Sequence, residues 1–130
     1  MKKLLVLLFS ILILPISVYA SDVYYCSDNS KIGFDRSNNM KIGTFDESRF
    51  KIMIDFEKMN ISNEKIFYGG VTDQRCVFDN TDATLYCINN YGRTFAINKN
   101  SLNYVRSITY LEEIYKSDDY ILAHGTCEKF

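Results

Sequence analysis

One histidine, His124, and four cysteines, Cys26, Cys76, Cys87 and Cys127, are the side chains best suited to acid–base, nucleophilic or metal chemistry in this chain. A lone histidine with no second His and no Cys-x-x-Cys cannot complete a structural zinc site, which needs four ligands. As a general base it would need a nucleophile and an orienting carboxylate, and Asp119 or Glu128 are the nearby acids. That combination defines a small secreted hydrolase as one reading. The adjacent acids Glu112-Glu113 and Asp118-Asp119 could in principle form a glycosidase-like pair. However, sequence neighbours on a strand point to opposite faces, and Asp118-Asp119 falls in a turn-rich stretch. Gly69-Gly70 lacks the remainder of a phosphate-binding loop. No cofactor and no metal are expected.

The cysteines are read through their compartment. Residues 1–20 have the parts of a cleavable export signal: Lys2 and Lys3, an apolar run from Leu4 to Leu14 broken only by Ser10, then Pro15 and a Val18-Tyr19-Ala20 end. The run is about half the roughly 20 residues a spanning helix needs, so stable membrane insertion after cleavage is not expected. A periplasmic or secreted location follows, and there an even number of cysteines implies disulfides. Four cysteines permit three pairings. Cys26–Cys127 would tie the two ends of residues 21–130, read as a single β domain.

The chain carries a formal charge of -1, which loss of Lys2 and Lys3 moves to about -3. This is no electrostatic footprint for nucleic acid. No proline, repeat or low-complexity tract interrupts the mature part. Phe50, Ile52, Ile54 and Phe56 alternate with Lys51, Met53, Asp55 and Glu57, the signature of an antiparallel strand with one buried face. Val23–Cys26 and Lys31–Phe34 read as strand pieces separated by a turn at Ser27–Ser30, and Asp35–Asn39 as a polar loop. Met59-Asn60 reads as a turn and Lys65–Tyr68 as a strand.

Arg75–Phe78 and Thr84–Ile88 form the clearest hairpin, turning through Asp79–Asp82. Centred there, it sets Cys76 opposite Cys87, Val77 opposite Tyr86 and Phe78 opposite Leu85. One register then buries the apolar pair and joins the sulfurs, which favours Cys76–Cys87. Turns at Asn89–Gly92 and Lys99–Ser101 bracket a strand over Arg93–Asn98. Residues 102–110 mix helical and strand periodicity and are assigned to a strand. A turn at Lys116–Asp119 leads to a closing strand from Tyr120 through Gly125 to Cys127. Seven or eight short strands joined to their neighbours predict an all-β antiparallel meander. An up-and-down barrel is preferred to a two-sheet sandwich because closure removes exposed edges.

The compositional excess is aromatic, with ten Tyr, nine Phe and no Trp. Cross-strand packing accounts for most of it, but tyrosine also favours half-wet interfaces. Tyr24, Tyr25, Tyr68, Tyr86, Tyr91 and Tyr104 are the candidate binding surface. The frame from Tyr24-Tyr25-Cys26 to Gly125-Thr126-Cys127 resembles small exported proteins of Gram-negative bacteria. More distantly, it is similar to the periplasmic inhibitors of c-type lysozyme, which are disulfide-tied β-barrels. Their Ser-Gly-Ala-x-Tyr segment has no counterpart here, where Asn90-Tyr91-Gly92-Arg93 is a turn in a comparable region. The resulting expectation is an exported, non-enzymatic β-barrel module for a protein or small ligand, with inhibitor-like action implied by the resemblance. The hydrolase and a structural envelope component are the alternatives.

Overall fold

The computed structural model describes residues 21–62, 74–108 and 120–130. The export signal, the strand over Lys65–Tyr68 and the turn at Lys116–Asp119 lie outside those residues. Nine described strands form one antiparallel sheet: β1 (Asp22–Asp35), β2 (Lys41–Thr44), β3 (Arg49–Asp55), β4 (Asn60–Ser62), β5 (Gln74–Asp79), β6 (Thr84–Asn89), β7 (Arg93–Asn98), β8 (Asn103–Ile108) and β9 (Tyr120–Lys129). Eight follow the order β4-β3-β1-β9-β8-β7-β6-β5, while β2 pairs with β1 alone. Cyclically that is chain order, so the sheet is an up-and-down barrel that is nearly closed. Its two ends meet where the Gln74 side-chain amide donates to Asn60 Oδ1 at 2.9 Å and to the Ile61 carbonyl.

The turns share one device. Asp35, Asp55, Asp79, Asn89 and Asn98 each end a strand and accept, through the side chain, amides two to four residues on. A left-handed residue follows each of them: Asn39, Met59, Ala83, Gly92 and Leu102. The short polar side chain stands in for a backbone acceptor and reverses the chain within about four residues. That brevity keeps sequential strands adjacent, as a meander requires.

The hairpin β5–β6 has the expected register, with Cys76 opposite Cys87, Val77 opposite Tyr86 and Phe78 opposite Leu85. Both disulfides form, Cys26–Cys127 and Cys76–Cys87. Each joins directly opposed residues of neighbouring strands. The strand expected over 102–110 is present as Asn103–Ile108, and residues 109 and 110 lie outside the described residues. The interior is filled by Tyr24, Phe50, Ile52, Ile54, Ile61, Leu85, Phe95, Ile97 and Tyr104, as expected of a barrel of this size. Phe95 stacks on Tyr104 at 5.3 Å between centroids, and Phe50 meets Tyr104 edge-on at 5.5 Å.

Two features depart from expectation. Lys41–Thr44 adds a short strand that no pattern announces. Ser27–Ser30 is not a turn: it lies inside one continuous strand, interrupted by a bulge where Asp28 faces Gly125 and Ser30 faces His124, leaving Asn29 as the extra residue. The turn-prone carboxylate of Asp28 is taken instead by partners inside the barrel. An extra residue also changes which positions face inward. Before the bulge Tyr24, Cys26 and Asp28 are buried; after it Ile32 and Phe34 are exposed, although all five have even numbers.

Candidate binding surface on the outer wall

The inward residue nearest the bulge, Asp28, is 1 % exposed and fully engaged. Its Oδ1 accepts from the Tyr104 hydroxyl at 2.6 Å and from Arg106 Nε at 3.1 Å. Its Oδ2 accepts from Arg106 Nη2 at 2.6 Å and from the Ser48 amide at 2.9 Å. The Asp28 amide donates back to the Ser48 carbonyl at 2.9 Å. Burial alone would raise the Asp28 pKa. The bonds from Arg106, Tyr104 and Ser48, with the guanidinium charge, outweigh that and hold it below its ordinary value. Burial and then the bond to Asp28 push the Tyr104 hydroxyl strongly upward. Arg106 lies over the Phe50 ring, 5.4 Å from its centroid. This group has no access to solvent and its acceptors are occupied, so it is a tie between β1, β8 and the segment before β3. Sequence reading missed it, although Asp28 shares parity with Tyr24 and Cys26, and Arg106 with Tyr104.

Among the described residues the interior is packed, and the exposed apolar side chains stand on the outer wall. There, opposed residues form rows across the sheet. One row runs Tyr86, Ala96, Val105, His124, Ser30. The next runs Ile88, Thr94, Ser107, Leu122, Ile32, Thr44, and a shorter one joins Tyr120, Phe34 and Ile42. Ile32, Phe34, Ile42 and Leu122 are all exposed, Ile42 to 76 %. With Gly33, Ser107, Tyr120 and Ile121 they line a groove of about 330 Å³ whose surface is almost wholly apolar. Beside it, Asn29, Asn103, Tyr86, Ala96, Val105 and His124 contribute to a shallow groove of about 690 Å³. Farther round, Tyr25, Arg49, Lys51 and Glu128 line a third, of mixed charge.

The candidate tyrosines therefore do not form one surface. Tyr24 and Tyr104 are buried at 4 % and 2 % exposure, because strand alternation turns them inward, and they are removed from it as a correction. Tyr25 is exposed and meets Phe130 edge-on at 5.7 Å. Tyr86 is exposed with its hydroxyl on Asp82 Oδ2 at 3.0 Å. Tyr91 is half-buried in the β6–β7 turn, and Tyr68 lies outside the described residues. His124 is exposed, and no carboxylate lines its groove. Glu128 is four residues along the same strand, roughly 13 Å away at strand spacing, and lines a different groove. Asp119 lies outside the described residues. Among the described residues, no group of three or more His, Cys, Asp or Glu is placed to hold a metal ion.

Fold and surface together define a small, disulfide-tied, nearly closed up-and-down β-barrel with a packed interior. Compared with known proteins, the chain matches no family model, no curated protein and no solved structure. Two structural disulfides suit an oxidising environment outside the cytoplasm.

Proposed function

We propose that the chain is an exported, non-enzymatic binding module, periplasmic or secreted, that holds a protein partner against the outer wall of its barrel. The observation that carries this is the contiguous apolar face of Ile32, Phe34, Ile42 and Leu122. Scattered exposed apolar side chains need no explanation, but grooves and patches of joined ones mark interaction sites. This face is built by the bulge, which turns Ile32 and Phe34 outward to meet Leu122 and Ile42. The favoured partner is an apolar protein segment, since the groove offers almost no polar group to recognise a charged one.

A photo-crosslinking residue placed at 42 or 122, in protein exported by a Gram-negative host, tests the site. A discrete adduct with another protein from both positions, absent from the control position 77 on β5, is the expected result. Adducts equal at all three, or joining only two copies of this chain, would overturn it, the latter in favour of a structural envelope component. The inhibitor-like form of the reading predicts that the purified protein slows cell-wall lysis by a c-type lysozyme in proportion to its concentration. Unchanged lysis at tenfold molar excess would remove that form.

A further inference from the structure

The row beside the apolar face has a different chemistry. Ala96 lies between Tyr86 and Val105 across three strands, so the wall dips there. The dip has an apolar floor of Ala96 and Val105 and an aromatic wall, Tyr86, whose hydroxyl is held by Asp82. At its rim stand the side chains of Asn29, Asn103 and His124. The lining contains no carboxylate, lysine or arginine. Asn29 reaches this rim because it is the unpaired residue of the bulge, and bulges characteristically re-aim a side chain beside a site.

From this chemistry we infer that the groove bounded by Tyr86, Ala96, Val105, Asn29, Asn103 and His124 binds a neutral N-acetylated saccharide. Carboxamides offer both donors and acceptors, as hydroxyl and acetamido groups require. An oriented tyrosine ring gives a flat apolar body for the C–H face of a pyranose while its polar tip stays wet. The methyl groups of Ala96 and Val105 suit the acetyl methyl. The carboxylate beside the groove, Asp82, is occupied by the Tyr86 hydroxyl and the Thr84 amide, and the lining itself holds no charge, so an ionic sugar would lose hydration without gaining a counter-charge there. A volume of about 690 Å³ lies within the range of small-molecule sites. The inference is independent of the protein partner proposed for the adjoining face.

The test is an NMR titration of the isotope-labelled, disulfide-intact protein with tetra-N-acetylchitotetraose. Saturable shifts are expected at the amides of Ala96, Val105, His124 and Gly125. Tyr86→Ala should weaken binding about tenfold, the usual worth of one aromatic contact. Ala96→Gln, at an outward position that does not enter the core, should fill the dip and abolish the shifts. Fully deacetylated chitotetraose, which is cationic, and an anionic oligogalacturonate should give no saturable change. No saturable shift at millimolar probe would overturn the proposal. So would shifts confined to Tyr25, Lys51 and Glu128, an unchanged affinity in Tyr86→Ala, or equal binding of a charged oligosaccharide.

Discussion

Asp28 accepts four hydrogen bonds and is the one buried carboxylate among the described residues. A buried ion pair stabilises little relative to an apolar replacement, yet removing one partner strands the other charge. Asp28→Asn leaves Arg106 uncompensated and should lower the free energy of unfolding by about 3–5 kcal/mol in a urea titration. The pH dependence follows from the same contacts. Because the folded carboxyl titrates below its ordinary value, its contribution is complete above the unfolded pKa. It is lost as pH falls through the folded one. Wild-type stability should therefore decline below about pH 4, where an ordinary Asp begins to protonate. In Asp28→Asn that decline should be smaller. Equal declines in both proteins would show that other carboxylates dominate. Gly125 lies close against the same group: a Cβ there would fall onto the Ser27 carbonyl oxygen and 2.6 Å from the Tyr104 hydroxyl.

At the level of strands and turns, much was legible. Asp79, Asn89 and Asn98 announce reversals because their side chains mimic a backbone acceptor, and the alternation of Phe50, Ile52 and Ile54 gives β3 its buried face. The register joining Cys76 to Cys87 follows from pairing Phe78 with Leu85. The bulge was not legible, since Ser27–Ser30 is as turn-like in composition as the true turns and differs only in the partners that await Asp28 across the barrel. The outer face was missed for the same reason: a parity change in mid-strand is a tertiary fact. The two disulfides make a quantitative contrast. Their separations are 101 and 11 residues, so loop-closure entropy assigns about 4–5 kcal/mol to Cys26–Cys127 and about 3 kcal/mol to Cys76–Cys87. Paired Cys→Ser variants, compared by urea unfolding, should lose stability in that order. The reverse order would mean that the denatured chain already keeps its ends together.

Taken as a whole molecule, the barrel is unevenly closed. From β5 through β9 to β1 and β3 every neighbour is joined by a ladder, whereas between β4 and β5 the described hydrogen bonds come from the Gln74 side chain alone. Local opening should begin at that seam. Gln74→Ala is expected to speed hydrogen exchange at amides of β4 and β5 by about ten- to a hundredfold, the equivalent of the two lost hydrogen bonds, while β8 and β9 keep their protection. Uniform acceleration would instead indicate that opening is global. Asn29 has a consequence of another kind, because it is the extra residue at the β1 bulge. Deleting it would join Asp28 to Ser30 in strict alternation and leave Ser30 opposite His124, Ile32 opposite Leu122 and Phe34 opposite Tyr120, so Ile32 and Phe34 would keep their outward side. The apolar groove would survive, and the adjoining one would lose one of its asparagines. The bulge is thus the means by which β1 carries one extra residue without exchanging its inner and outer faces.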